Sequence, residues 1–127
     1  MIIGIGTDIV AVARIEAASA RHGAAFAARI LSAQELAEYA TQAHPARFLS
    51  KRFAAKEALA KATGLGLRHP VGLHSISVGH DELGKPVFRF DEELSALLSS
   101  LGVVRCHLSL SDERDTAIAF VILEGED

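Results

Sequence analysis

The feature that most constrains the fold is one long helical segment in the middle of the chain. It begins at Pro45, a residue suited to the first turn of a helix, and runs to about Thr63, where Gly64 ends it. It is the longest and most basic element that the sequence predicts. The chain has 127 residues, which suits a single domain over 1–127 with one core. The rest of the domain is therefore expected to pack against this helix.

The segments on either side of the long helix predict the remaining elements. Alternating or apolar runs predict strands at 2–10, 73–79, 86–90, 103–111 and 116–123. Helical patterns predict further helices at 11–22, 24–30, 32–41 and 92–101. This order predicts an α+β fold with a mostly antiparallel sheet packed against the long helix.

The last predicted strand is apolar on both faces over residues 117–123. A small domain covers such a strand with its own helices or with another subunit. The sequence leaves both possibilities open.

Composition excludes several classes of protein. The formal net charge of −3 argues against nucleic-acid binding, and the absence of Trp argues against a base-stacking surface. The single cysteine, Cys106, excludes an internal disulfide and a multi-cysteine zinc site, and suits a reducing compartment. No apolar stretch approaches the roughly 20 residues of a membrane span. We therefore expect a cytoplasmic protein that binds neither nucleic acid nor membrane.

Asp8 is the first candidate for chemistry. It lies in the first predicted strand, on the same face as Gly4 and Gly6. A carboxylate near a core is costly unless it is paired or bound to a cation, and glycine neighbours leave room for a ligand. A cap for the helix that starts near Ala11 explains Asp8 equally well.

The long helix supplies the second candidate. Phe53, Glu57 and Lys61 recur every four residues and therefore share one face. One acid among many bases suits a metal ion beside neutralised phosphates, although a surface Glu57–Lys61 ion pair is the simpler explanation. Two carboxylates without clustered Cys or His ligands favour Mg²⁺ over Zn²⁺.

The two segments together resemble a known family. Gly6-Thr7-Asp8 and, some fifty residues later, Phe53-Ala54-Ala55-Lys56-Glu57-Ala58-Leu59-Ala60-Lys61 are similar to the paired signatures of the 4'-phosphopantetheinyl transferases. Within that family they resemble the short bacterial holo-[acyl-carrier-protein] synthases. Two further stretches, Gly84-Lys85-Pro86 and His107-Leu108-Ser109-Leu110-Ser111, extend the resemblance over nearly the whole chain.

The resemblance implies an activity. The 4'-phosphopantetheine moiety of coenzyme A would be transferred to a serine of apo acyl carrier protein, which gives holo carrier and adenosine 3',5'-bisphosphate for fatty acid biosynthesis. The catalytic residues would be Asp8, Glu57 and Lys61. Asp8 and Glu57 would hold Mg²⁺, and Lys61 would contact the transferred phosphate. The acceptor of the serine proton stays open between a water, Glu57 and an acid of the carrier.

The resemblance also implies the surroundings of the coenzyme in a homotrimer with active sites at the subunit interfaces. Arg52 and Phe53 would lie beside the coenzyme, and backbone N–H groups at Gly64 would approach phosphate. A neighbouring subunit would place the strand residues His107, Ser109 and Ser111 near the 3'-phosphoadenosine end. From the residues alone, that strand side is simply polar and solvent-facing.

Asp112 departs from the family pattern, because many relatives carry a histidine at that position. An acid cannot replace a cation beside the 3'-phosphate. The resemblance therefore implies that Arg52 or His107 carries more of this contact.

The first helix offers a possible docking face for the carrier. Arg14 and Arg21 are seven residues apart, with small residues between them. By resemblance to the family, this basic stripe would receive the acidic carrier and raise the rate of association. Two solvated arginines, one of them paired with Glu16, are the plainer explanation.

Two other functions are compatible with the same residues. A metal-dependent diphosphate hydrolase acting on coenzyme A or a nucleotide would use the same acids with water as nucleophile. A non-catalytic nucleotide-binding or oligomeric scaffold would use Asp8 as a cap and Glu57 as a surface ion-pair partner.

Overall fold

The structure, a computed structural model, describes all of residues 1–127 as five helices and five strands. The helices are α1 (Val12–His22), α2 (Ala24–Ile30), α3 (Ala33–Tyr39), α4 (Pro45–Thr63) and α5 (Glu92–Ser100). The strands are β1 (Ile2–Ala11), β2 (Ile76–His80), β3 (Pro86–Phe90), β4 (Arg105–Asp112) and β5 (Thr116–Glu124). Every predicted element exists, and the α+β prediction is confirmed.

Local signals in the sequence define the ends of the helices. Ser32 and Glu35 form the reciprocal capping box at the start of α3, and the Asp91 side chain accepts a hydrogen bond from the Leu94 N–H at the start of α5. Gly23 and Gly64 adopt positive φ values of 63° and 79° where α1 and α4 end. These ends lie where the sequence predicts them because the signals act within one turn.

The strands form two antiparallel sheets rather than one. A three-stranded sheet has the order β1-β5-β4, and β2 pairs with β3 in a separate two-stranded sheet. The two terminal strands are adjacent, with Asp8 opposite Ala119 and Val10 opposite Ala117. The long first strand is thereby fixed against the middle strand of its sheet.

Helix α4 packs directly on β1 because two glycines allow a very close approach. A Cβ atom on Gly4 would lie 1.9 Å from the Ala62 carbonyl oxygen, and one on Gly6 would lie 2.0 Å from that of Ala58. The spacing fits, because one helical turn and two strand residues both advance the chain by about 6 Å. The prediction that these glycines leave room for a ligand is wrong, since the backbone of α4 fills that space.

The three-stranded sheet has one covered face and one uncovered face. Alternate β5 residues are buried on the α4 side, namely Ala117, Ala119, Val121 and Leu123. The opposite face exposes large apolar side chains, which include Ile5, Ile9, Ile118 and Phe120. The chain's own helices therefore cover only one side of the last strand. No helix in the structure is both long enough and apolar enough to cross a membrane.

Candidate active site

Asp8 and Lys61 meet at the contact between β1 and α4. The Lys61 Nζ donates to the Asp8 Oδ1 at 2.9 Å and to the Thr7 carbonyl oxygen at 3.0 Å. The Asp8 side chain is 17% exposed and that of Lys61 54% exposed. The glycine-mediated approach of strand and helix produces this contact, because Asp8 follows Gly4 and Gly6 on the same face.

Glu57 completes a group of two carboxylates and one ammonium. Its pKa is raised, first by partial burial and then by the negative charge of Asp8, while Lys61 acts in the opposite direction. The charge of Asp8 therefore acts on Glu57, and the side chain of Lys61, which contacts Asp8, lies one turn further along the same helix. Two partly desolvated carboxylates are a favourable place for a cation.

The donor set fits a hard divalent cation. No group of three or more His, Cys, Asp or Glu side chains is placed to hold a metal ion, so a cation at this place would have at most two protein carboxylates, Asp8 and Glu57. Mg²⁺ commonly takes one or two carboxylates and completes its shell with water and substrate phosphates. Zn²⁺ would require more protein ligands.

The simpler explanations for the two acids do not hold. The N-terminus of α1 receives no side-chain hydrogen bond, so Asp8 does not cap that helix. Lys61 pairs with Asp8 and forms no ion pair with Glu57. Lys61 is thus directed toward β1.

Phe53 and Arg52, both expected beside the coenzyme, differ in their surroundings. Phe53 is half-buried on the same face of α4 as Glu57 and packs against the core. The Arg52 side chain is only 4% exposed, and its guanidinium donates to the Val78 carbonyl oxygen and to the Glu38 carboxylate. A guanidinium held in these bonds does not reach a ligand at the surface, so the expected contact with coenzyme is corrected.

The predicted phosphate contact at Gly64 is also corrected. The Gly64 N–H donates to the Lys61 carbonyl oxygen, and the Gly66 N–H to that of Ala60. The Leu65 N–H donates to the Thr63 hydroxyl. These donors close the C-terminus of α4, whose negative dipole end disfavours an anion. Gly64 therefore acts as the helix cap.

The polar residues of β4 lie on the uncovered face of the sheet. Arg105, His107, Ser109 and Ser111 are all exposed there. The Glu124 carboxylate accepts hydrogen bonds from Arg105 and His107, both at 2.9 Å, and these bonds lower the pKa of Glu124 to about 2. Within one chain the sheet separates this group from Asp8 on the opposite face, so the two are not brought together.

Asp112 is held by cations of α4. Its carboxylate lies 4.0 Å from the Arg47 Nε and 3.8 Å from the Lys51 Nζ. Positive charge is thus concentrated around the acid that replaces the family's histidine.

Cys106 is not a candidate nucleophile. Burial raises the pKa of its thiol to about 11, so the reactive thiolate is scarce at neutral pH.

The predicted docking residues are free at the surface. Arg14 and Arg21 are exposed on α1, and neither forms an ion pair. Glu16 is unpaired as well, so the expected pairing with an arginine does not occur.

Sequence reasoning missed a second charged group on α4. Lys56 and Glu35 are fully buried and lie 2.5 Å apart, and the buried Arg52 guanidinium lies 3.6 Å from the same carboxylate. The sequence analysis assigned no role in the core to either Glu35 or Lys56. The apolar positions around Lys56 were the available signal, since they place its ammonium inside the core.

Comparison with known proteins decides the family. The family model described as the 4'-phosphopantetheinyl transferase superfamily matches residues 4–121. The chain belongs to this superfamily. The match includes both Asp8 and Glu57, the two acids that the fold brings together.

Relatives within the superfamily match nearly full-length. A protein from Laribacter hongkongensis named holo-[acyl-carrier-protein] synthase is 58% identical over 98% of this chain and 100% of its own length. The crystal structure of a holo-[acyl-carrier-protein] synthase from Neisseria meningitidis has a TM-score of 0.95 at 51% identity, and covers 98% of this chain and 99% of that chain. The Bacillus anthracis enzyme of the same name, solved in complex with CoA (3',5'-ADP), has a TM-score of 0.82 at 34% identity and covers 99% of both chains.

Proposed function

We infer that this chain transfers the 4'-phosphopantetheine moiety of coenzyme A to a serine of apo acyl carrier protein. The observation that carries this conclusion is the 58% identity to a holo-[acyl-carrier-protein] synthase over 98% of the chain. The contact between Lys61 and Asp8 and the influence of the Asp8 charge on Glu57 support this inference. The relatives described above are all named synthases, so the hydrolase alternative has no support.

We propose that Asp8 and Glu57 hold Mg²⁺. The raised pKa of Glu57 supports this proposal, because a cation between the two carboxylates would relieve their repulsion. When bound, Mg²⁺ supplies positive charge that offsets the charge of the coenzyme diphosphate.

Lys61 supplies the second positive charge. In the structure its ammonium is held 2.9 Å from Asp8 on a half-exposed side chain. The ammonium of this half-exposed side chain would contact the transferred phosphate and offset its negative charge.

The reaction is a substitution at phosphorus. The carrier serine oxygen forms a bond to the phosphorus attached to pantetheine, and the bond from that phosphorus to the oxygen of adenosine 3',5'-bisphosphate breaks. The serine proton leaves to a base, and the leaving phosphate keeps the electron pair. Reactions of this type depend mainly on positioning and on charge stabilisation. The fixed placement of Asp8, Glu57 and Lys61 provides both.

We propose that the protein acts as a homotrimer with sites between subunits. The apolar, uncovered sheet face that includes Ile5, Ile9 and Phe120 supports an interface between copies. His107, Ser109 and Ser111 lie on this same face, away from Asp8 of their own chain. These residues would therefore contact coenzyme held at the Asp8 of a neighbouring subunit.

The exposed, unpaired arginines of α1 are the proposed docking site for the acidic carrier. Arg14 and Arg21 sit beside small residues, so a helix of the carrier can approach closely. Attraction between opposite charges would raise the association rate and weaken with added salt.

One assay tests the inferred reaction. The protein is mixed with apo carrier, coenzyme A and Mg²⁺, and the carrier is weighed by mass spectrometry. We expect a gain of one phosphopantetheine on one serine. Incubation without carrier is the control, in which steady consumption of coenzyme A would favour hydrolysis and contradict the transferase.

A further inference from the structure

The side of α4 that faces α3 and β2 is anchored by an ammonium with no contact to solvent. Lys56 is 0% exposed, and its Nζ donates to the Glu35 Oε1 at 2.5 Å. The same Nζ donates to the Ile30 carbonyl oxygen at 2.8 Å and to that of Leu73 at 2.7 Å. An ammonium has three protons, so all of its donors are used. The three acceptors belong to the end of α2, to α3 and to the segment before β2.

The Glu35 carboxylate joins these elements on its other side. It accepts hydrogen bonds from the Ser32 N–H and the Val78 N–H, both at 3.0 Å. Arg52, one turn before Lys56, donates to the Val78 carbonyl oxygen. Two successive turns of α4 are therefore bonded to α3 and β2. We call Glu35, Arg52 and Lys56 the anchor cluster.

The surface of α4 that packs on β1 gives weak control over the rotation of the helix. The larger buried residues of α4 are Phe48, Leu49 and Leu59. On the β1 side Ala58 and Ala62 face Gly6 and Gly4, which have no side chains to interlock with them. Dispersion contacts between such smooth surfaces change little with rotation, whereas hydrogen bonds are directional.

Lys56 and Glu57 are consecutive, so their side chains leave the helix about 100° apart. A rotation or shift of α4 that breaks the Lys56 bonds therefore also moves Glu57 relative to Asp8. We propose that Glu35 and Lys56 are positioning residues that fix the rotation of α4 so that Glu57 meets Asp8. The inference rests on the proposed Mg²⁺ site, and it assigns the anchor cluster a role beyond stability.

The test separates positioning from stability by removing the charges of Glu35 and Lys56 together, while Arg52 keeps its ion pair with Glu38. In the double variant Glu35→Gln with Lys56→Met, the glutamine still suits the capping box and no charge is left unpaired in the core. Mg²⁺ is titrated into the full-length protein with coenzyme A present, and binding is followed by calorimetry and by the Mg²⁺ dependence of transfer. We expect the Mg²⁺ dissociation constant to rise about tenfold or more, as for other residues that orient metal ligands. The carrier KM should stay unchanged.

Two controls fix the interpretation. Ser50→Ala removes another buried polar group of α4, but one that bonds only to Ala46 of the same helix, so the Mg²⁺ constant should not change. Asp8→Asn reports on the metal site itself and should weaken Mg²⁺ binding strongly.

Each outcome decides the proposal. Normal Mg²⁺ binding in the double variant, together with weak binding in Asp8→Asn, would overturn the positioning role and leave the metal site intact. Normal binding in Asp8→Asn would remove the metal site and the positioning role with it. Glu35→Gln alone is measured alongside, and decides the result if the double variant does not fold.

Discussion

The two sides of α4 carry the same kinds of charged group in opposite circumstances. On the side toward α3 and β2, Lys56 and Glu35 are fully buried and every ammonium proton has an acceptor. On the side toward β1, Glu57 and Asp8 repel each other in a partly exposed place, with Lys61 as a partial counter-charge. Lys56 and Glu57 are consecutive in α4, yet Lys56 has a full set of hydrogen-bond acceptors and Glu57 lies near a charge of its own sign.

The difference indicates where the chain can bind a ligand. A buried pair with complete hydrogen bonding gains nothing from an added ion, whereas Glu57, whose pKa is raised partly by the charge of Asp8, does. The repulsion between Asp8 and Glu57 lowers the folding stability of the free protein. A bound cation would relieve this repulsion, and the energy gained would add to its affinity.

Removal of the Lys56 ammonium, on the side of α4 toward α3 and β2, should give the largest change in the free energy of unfolding. Lys56→Met leaves the Glu35 carboxylate buried without its main partner. We expect a loss of about 3–5 kcal/mol in the free energy of unfolding, measured by denaturant titration. A loss below about 1 kcal/mol would mean that water or Arg52 stabilises the Glu35 carboxylate in place of Lys56. The proposed difference between the two sides of α4 would then be smaller.

Removal of the charge of Asp8 or Glu57, on the side of α4 toward β1, should instead lower the transfer activity strongly and change the folding stability little. Asp8→Asn or Glu57→Gln should lower the rate of transfer at least about 100-fold, which equals about 2.7 kcal/mol. In Glu57→Gln the melting temperature without Mg²⁺ should stay the same or rise, because repulsion by Asp8 is removed. In Asp8→Asn the loss of the ion pair with Lys61 should offset that gain. Thermal scans and mass-spectrometric rates measure both quantities. Near-normal transfer by both variants at limiting Mg²⁺ would refute the metal assignment.

Gly6→Ala should lower both the folding stability and the affinity for Mg²⁺, because it changes the spacing of β1 and α4. The added Cβ would collide with the Ala58 carbonyl oxygen, so strand and helix have to separate. We expect about 1–3 kcal/mol of destabilisation together with weaker Mg²⁺ binding. Gly79→Ala is a matched control, because its Cβ would meet nothing within 4 Å. Equal effects of the two substitutions would contradict the close-approach argument.

The pH dependence of Mg²⁺ stabilisation should give the smallest effect. Because the pKa of Glu57 is raised, its ionised form costs folding stability, and this cost appears as the pH rises through that pKa. Protons and Mg²⁺ compete for the same carboxylate. The increase in melting temperature caused by Mg²⁺ and coenzyme A should therefore be larger at about pH 8 than at about pH 5. In Glu57→Gln this difference should shrink, and an unchanged difference would assign the titration to another group.

The secondary structure was predictable because its signals are local. Pro45, the Ser32–Glu35 capping box and the terminal glycines act within one turn, and they set the helix ends where the sequence analysis placed them. The alternation in β1 likewise gives its two faces. The division of the strands into two sheets was not predicted, because pairing depends on partners far apart in the chain.

The site was predictable only in part, for a related reason. The acids Asp8 and Glu57 follow from sequence signatures, and in the structure the charge of Asp8 raises the pKa of Glu57. The roles of Gly6 and Arg52 were mistaken, because the approach of α4 and the burial of a guanidinium depend on distant residues. Lys56 was overlooked because its acceptors lie at least 17 residues away.

The measurement that tests the central claim most directly is calorimetric titration of Mg²⁺, with coenzyme A present, into the wild type and three variants. These are Asp8→Asn, Glu57→Gln and the protein that carries both substitutions. If one ion is shared by both carboxylates, each single variant loses most of the Mg²⁺ affinity and the double variant is little worse than either. Additive losses, or Mg²⁺ binding that survives in both single variants, would contradict a shared ion.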